Sequence, residues 1–301
     1  MDTKTVEDVP SETALFTALR RTIAHKEYNN EKFGSDDLAE IFLPASYRFF
    51  LRFSKIRENT KNKLAKAMPG VNEHIIARTA FFDRLFLDAL KNQVPQIVLL
   101  GAGYDSRAYR FAKSNCGTEI FELDAPPTQD RKIKCLKAAH VSIPKEVCYV
   151  PINFINQSLS SVLEKAGYKN QEKTLFIWEG VSYYLGWDSA RDTLDFVSRS
   201  SNQDSVIAFD YMISLSEENM NATYGAAELM KSMKQHHEGE VLLFSIKQGQ
   251  IESFLAEMNL KMIEHMDHKA IEKKYLMDDH GSLIGKMAGS FRFVCASPEK
   301  P

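Results

Sequence analysis

The chain has 301 residues, 44% of them hydrophobic, enough to bury one large core, and its formal net charge of −2 excludes nucleic acid as the expected partner. Cys116, Cys135, Cys148 and Cys295 lie far apart with no C-x-x-C, which argues against a zinc knuckle or disulfide scaffold and leaves no metal site expected. No basic segment followed by an apolar one opens the chain and no 18 apolar residues run together, so the expectation is a cytoplasmic protein with no membrane partner.

In chain order, residues 1–10 read as disordered. Pro10-Ser11-Glu12-Thr13 then opens a helical stretch with Leu15, Phe16, Leu19 and Ile23 at 3–4 spacing. A second helix, Asp36 to about Arg52, carries Leu38, Ile41, Phe42, Tyr47, Phe50 and Leu51. A third, Asn72 to Leu90, carries Ile75, Ile76, Phe81, Phe82, Leu85, Phe86 and Leu90. Helix thus dominates the segment before the first strand, as an N-terminal cap. Strand–helix alternation follows and calls for an α/β fold, a parallel sheet with helices on both faces. Strands are expected over 96–100, 118–123, 147–152, 174–178 and 205–210, with helices near 106–113, 126–139, 157–166 and 188–201. Pro126 and Pro127 sit where a first helical turn tolerates proline, and Gly167 takes the position just past a helix end. The Met-rich stretch from Met212 to Lys234 reads as a helical lid or insertion. A helix over 249–258, a strand over 260–266, a helix over 268–276 and a strand over 290–296 bring the strand count to seven.

The run Gln96-Ile97-Val98-Leu99-Leu100-Gly101-Ala102-Gly103-Tyr104-Asp105-Ser106-Arg107 carries the most chemistry. A buried aliphatic strand ends at two glycines, where the backbone can approach a ligand, and Asp105 or Ser106 can cap the helix that follows. The next strand, Thr118 to Asp124, stops on a carboxylate suited to ribose hydroxyls; Glu122, on the same face, is the alternate. This is the adenosine-binding half of a doubly wound sheet. A dinucleotide fingerprint needs a third glycine where Ser106 stands, and no Walker-type lysine follows. A cofactor without phosphates fits, and S-adenosyl-L-methionine is the common one.

Several segments together resemble the leucine carboxyl methyltransferase family, including its bacterial branch of S-adenosylmethionine-dependent O-methyltransferases. They are Thr13-Ala14-Leu15, Ala77-Arg78-Thr79 with Phe82-Asp83, Leu100 to Arg110, Phe121-Glu122-Leu123-Asp124-Ala125-Pro126, and Trp178-Glu179-Gly180-Val181-Ser182-Tyr183-Tyr184-Leu185. The resemblance implies a class I methyltransferase, a Rossmann-like seven-stranded sheet under a helical cap. Within one domain over 1–301, the expected parts are a cap (1–92), a cofactor-binding core (93–211), a lid or insertion (212–248) and the C-terminal part of the sheet (249–301).

By the same resemblance, Arg78 holds the methionine carboxylate, Gly101 and Gly103 flank the methionyl and ribose portion, Asp124 binds ribose and Glu179 contacts the cofactor. A guanidinium fork suits a carboxylate, although a surface arginine on a helix is the alternative for Arg78. A carboxylate capping the next turn is the alternative for Glu179. One departure matters: the family's third strand ends in Asp-Leu, whereas Asn153 and Phe154 stand here. Asn153 would accept from the adenine amino group through a neutral bond, weaker by roughly 0.5–1.5 kcal/mol, and Phe154 would cover the ring.

The resemblance also implies a carboxylate acceptor, of a small molecule or a protein C-terminus. Such an acceptor is ionised near neutral pH and needs no general base, so no catalytic residue is assigned. Tyr183, Tyr184, Arg107 and Tyr211 are candidates to orient it; Tyr183 stands where the family is usually aliphatic. The alternative for both tyrosines of the pair is packing under the cap. The eight histidines, His236-His237 among them, show no metal-ligand spacing. Other readings are a non-catalytic homologue that binds cofactor or a partner, for which Asn153 speaks, a hydroxyl acceptor, and a nicotinamide oxidoreductase, which the absent third glycine opposes.

Overall fold

The computed structural model describes residues 8–154, 156–236 and 242–299. Most of the stretch expected to be disordered, residues 237–241 of the expected lid, and the His236-His237 side chains lie outside the described residues. The elements in order are α1 (Glu12–Tyr28), α2 (Ala45–Phe50), α3 (Ser54–Ala67), α4 (Val71–Lys91), β1 (Gln96–Leu100), α5 (Arg107–Arg110), β2 (Glu119–Asp124), α6 (Pro126–Ala138) and β3 (Val147–Pro151). They continue with α7 (Leu159–Lys165), β4 (Thr174–Trp178), α8 (Trp187–Arg199), β5 (Val206–Met212), α9 (Glu217–Met220), α10 (Ala226–His236), α11 (Ile251–Glu257), β6 (Leu260–Met266), α12 (His268–Tyr275) and β7 (Phe291–Pro298).

The seven strands form one sheet in the order β3-β2-β1-β4-β5-β7-β6. Five are parallel, as alternation with helices requires; β7 is antiparallel to both β5 and β6, a reversal that the sequence pattern did not specify. Alternation along the strands splits the core in two. Ile97, Leu99, Ile120 and Ile177 face a cluster with α1 and α4, while Val98, Leu100, Phe121 and Trp178 face one with α7, α8 and α11. Both faces are therefore covered, which is why β1 reads as an unbroken aliphatic run. The strand order reverses between β1 and β4, and the crevice at their C-terminal ends is where an open α/β sheet binds ligands.

Local chemistry sets the ends of several elements. Ser11 caps α1 by accepting from the Ala14 amide at 3.0 Å, and its own amide donates to Thr128 Oγ1 on α6. Pro126 opens α6, and Gly167, at φ +92°, follows α7. The helix expected over Asp36–Arg52 is instead a 3₁₀ turn (Ala39–Phe42) and the six-residue α2, separated by Pro44, whose ring holds Leu43 extended. Phe42 and Leu51 from that stretch are buried, whereas Tyr47 and Phe50 face solvent. The polar helix α3 buries none of its residues and left no apolar periodicity to detect.

Candidate functional site

A cavity of about 530 Å³ opens at the C-terminal ends of β1, β2 and β4, beneath α1. That volume lies within the range of roughly 300–1,000 Å³ that holds small ligands. Its floor is the turn after β1. Gly101 sits at φ +70°, and a Cβ there would come within 2.5 Å of Val181 Cγ2, so only glycine fits without displacement. Gly103, at φ +46°, donates its amide to Asp124 Oδ2, while Oδ1 accepts from the Ala125 amide at 2.7 Å. These bonds hold the carboxylate at the end of β2 toward the glycine turn.

Beneath the cavity lies a lattice of buried ion pairs. Glu179, directly after β4, accepts from Arg21, from Arg78 Nε at 3.0 Å and from Arg107 Nη1 at 2.7 Å. Burial would raise its pKa, but Arg107, Arg21 and Arg78 outweigh burial and hold the carboxyl well below the usual range. Arg78 Nη1 also donates to the Tyr183 hydroxyl at 3.0 Å and to Asp210 Oδ2 at 3.3 Å. Asp210 Oδ1 accepts from the Gly180 amide at 2.6 Å, fixing the loop after β4. Arg107 is held by Asp83 at 2.7 Å and Asp105 at 2.6 Å, and Arg110 chelates Asp83 with two bonds of 2.8 and 2.9 Å. Removing any one member would strand a buried charge.

Two cavity-lining groups stand outside this lattice. Arg20, only 4% exposed, has Nε and Nη2 buried without hydrogen-bond partners, and its guanidinium lies 4.4 Å from the Phe16 ring centroid. Burial brings its pKa down to about 10, with Tyr184 and Glu73 pulling the other way, so it stays cationic at neutral pH. His74 stacks on Phe291 at 3.8 Å, and burial lowers its pKa to about 4 despite Asp210 at 3.4 Å, so its ring is neutral.

The sequence-predicted residues fall into three groups. Arg78, Gly101, Gly103, Asp124, Phe154, Glu179, Tyr183 and Tyr184 all line the cavity. Arg78 is 4% exposed, which removes the surface-arginine alternative. Three others do not line it. Asn153 lies outside because its Oδ1 accepts from the Asn156 amide at 3.0 Å, closing a turn. Arg107 is wholly buried, claimed by three carboxylates, and so supports the site from below instead of facing an acceptor. Tyr211 points elsewhere, to His265 Nε2 at 3.0 Å. Glu122, the alternate to Asp124, is buried against Lys132 Nζ at 2.7 Å. The Tyr183 hydroxyl is spent between Arg78 and Asp210.

Comparison with known proteins agrees with this geometry. The sequence profile of leucine carboxyl methyltransferases matches residues 14–198, from α1 through α8. The chain belongs to the leucine carboxyl methyltransferase family. YktD of Bacillus subtilis, provisionally named an S-adenosyl-L-methionine-dependent methyltransferase, is 28% identical over 193 residues, 64% of this chain and 62% of its own length. FRAAL3836 of Frankia alni, named in the same way, is 33% identical over 147 residues, 49% of this chain and 52% of its own. The chain therefore matches only about half to three fifths of these relatives. Among solved structures, a provisionally assigned methyltransferase from Thermobifida fusca has a TM-score of 0.61 at 11% identity, over 97% of this chain and 96% of that one. A DUF574-family protein from Streptomyces avermitilis has 0.61 at 10% identity, over 98% and 100%. At such identities the likeness establishes the fold, that of a class I methyltransferase.

In this leucine carboxyl methyltransferase family member, three cavity residues, Arg20, Arg21 and His74, and the buried Asp210 that pairs with Arg78 escaped the sequence reading. Asp210 had a usable signal, since an acid inside the apolar strand Val206–Met212 must find a buried cation. The Arg20-Arg21 pair on the inner side of α1 was a second such signal.

Proposed function

We propose that the protein is an S-adenosylmethionine-dependent O-methyltransferase whose acceptor is a carboxylate, of an apolar small molecule or a protein C-terminus. The glycine floor, with a ribose-suited carboxylate beside it and a guanidinium at its edge, fits the methyl donor without modification. Bound S-adenosylmethionine would supply a methyl group already activated on a sulfonium. Asp124 would take the ribose hydroxyls, and Arg78, whose Nη2 enters none of the lattice bonds, would take the methionine carboxylate.

The observation that carries the acceptor class is Arg20. A cationic fork with two buried nitrogens lacking hydrogen-bond acceptors, on the lining of an apolar cavity, is matched by an anion. Phe16, Met68, Met212, Met233, Leu243 and Phe291 supply apolar walls for the rest of the acceptor. The residues around the cavity also disfavour a hydroxyl acceptor, which needs a base that titrates near neutrality. His74 sits at about 4, Glu179 is held far down, and the Tyr183 proton is kept by burial and by Asp210. A carboxylate needs only to be held in line while α1 and its neighbours exclude water, and orientation of that kind contributes about 7–11 kcal/mol.

The test uses methyl-labelled donor with a panel of apolar carboxylic acids. The reading predicts a product whose label is released as methanol by mild base. Arg20→Met should lower kcat/KM by roughly 10- to 150-fold, the loss of one charge-assisted bond, with donor affinity unchanged. A base-stable methyl product would replace the carboxylate by a hydroxyl.

A further inference from the structure

We propose that the α2–α3 segment is a docking surface for an anionic lipid bilayer. The six-residue α2 has no buried residue, and neither does α3. Tyr47, Phe49, Phe50 and Phe53 are 49%, 54%, 51% and 51% exposed, a density of half-exposed rings that monomeric surfaces do not carry without use. The three phenylalanines form one patch: Phe49 lies 5.5 Å from Phe50 and 5.6 Å from Phe53, ring centroid to centroid. Looseness does not explain the exposure. Leu51 between the rings is 2% exposed, and Arg57 Nη1 staples the turn through the Leu51 and Arg52 carbonyls at 3.0 and 3.1 Å.

Charge identifies the occupant. From Ala45 to Ala67 there are seven lysines and arginines against one acid, Glu58, in a chain of net charge −2. Arg57 pairs with Glu27 of α1 at 3.0 Å, and Lys61 donates to the Tyr28 hydroxyl. Arg48, Arg52, Lys55, Lys63 and Lys66 pair with no carboxylate among the described residues. Beside the rings, His25, Lys26, Asn29, Arg52 and Arg57 line a small basic pocket suited to a lipid phosphate, with Glu40 on Lys26 and Glu27 on Arg57 as its carboxylates. Aromatic side chains between free cations are the composition of a segment lying at a membrane surface. A second copy of this chain fits badly, because an isologous contact would set the two positive faces against each other. This surface adjoins the cavity: Met68, the residue just past the end of α3, lines it. The proposal is independent of the methyltransferase reading.

The test is co-sedimentation of the full chain with phosphatidylcholine vesicles, with and without about one-third phosphatidylserine. Binding is expected only to the anionic vesicles, weakening as salt rises. Phe49→Ser/Phe50→Ser/Phe53→Ser should lose at least about 10-fold in partition, and Arg48→Gln/Arg52→Gln/Lys55→Gln about 100-fold at low salt. Both sets lie on exposed positions, so unchanged thermal unfolding is expected and keeps the comparison clean. Failure to bind anionic vesicles would overturn the proposal, as would full binding by the aromatic variant. A chain that ignores vesicles but forms a dimer dissociated by the aromatic variant would reassign the patch to self-association.

Discussion

Glu179→Gln is the perturbation that bears hardest on the buried lattice. Glutamine keeps the volume of glutamate and one acceptor oxygen but removes the charge that three guanidinium groups share. The pair is largely withdrawn from solvent: the side chains of Glu179 and Arg107 are 7% and 0% exposed, so water replaces little of the lost charge. The new amide NH₂ would also face donors. Breaking a buried ion pair from one side costs about 3–5 kcal/mol. For a chain of this size that corresponds to a fall in Tm of roughly 6–10 °C. Thermal and urea unfolding followed by circular dichroism measure it. The second half of the experiment adds Arg21→Met. If Arg21 and Glu179 act as one unit, the two changes together cost less than their sum by about 0.5–3 kcal/mol. A cost below about 1 kcal/mol for Glu179→Gln, or strict additivity with Arg21→Met, would refute the view that this carboxylate organises the arginines under the cavity.

Other consequences can be measured in the same way. His74 is neutral in the fold at about 4, below the ordinary value of 6.5, so the unfolded chain takes up its proton first as pH falls. Its contribution is intact above pH 6.5 and lost between about pH 6.5 and 4, up to roughly 3 kcal/mol; His74→Phe should flatten the stability profile across that window. Gly101→Ala should destabilise by about 1–3 kcal/mol, through positive φ and the 2.5 Å approach to Val181, and should weaken donor binding in calorimetry. Arg20→Met, which removes an unpartnered buried cation, should leave Tm unchanged or raise it while acceptor turnover falls. A lowered Tm would mean that Arg20 has a structural partner.

Much of the fold was readable because strands and helices here obey their periods. Strand 174–178, buried throughout, and edge strand 260–266, buried only at its two ends, were both placed to the residue, since short apolar or alternating runs bounded by turns leave a sharp pattern. The antiparallel turn of β7 left none, because strand direction depends on a partner distant in sequence. Helix α3 escaped detection since nothing on it is buried. At the cavity, the glycine turn and Asp124 were read from the strand–turn pattern and Arg78 and Glu179 from the family resemblance, and all of them line it. Asn153 and Arg107 do not line the cavity, for a common reason. Spacing locates a backbone, but neighbouring hydrogen bonds decide where the side chain goes: the Asn156 amide took one and three carboxylates took the other. Tyr47 and Phe50 misled the reading in a different way. They look like core residues to any rule that equates apolar with buried, and their exposure is what draws attention to the α2–α3 surface.

The central claim is that the cavity at the ends of β1, β2 and β4 holds S-adenosylmethionine. Calorimetric titration with S-adenosylhomocysteine, with NADH as the parallel ligand, tests it most directly. The account predicts one site per chain with affinity in the micromolar range for S-adenosylhomocysteine, none for NADH, and loss of binding in Arg78→Ala. Absence of S-adenosylhomocysteine binding, or a preference for NADH, would contradict it, and the family likeness would then describe ancestry rather than activity.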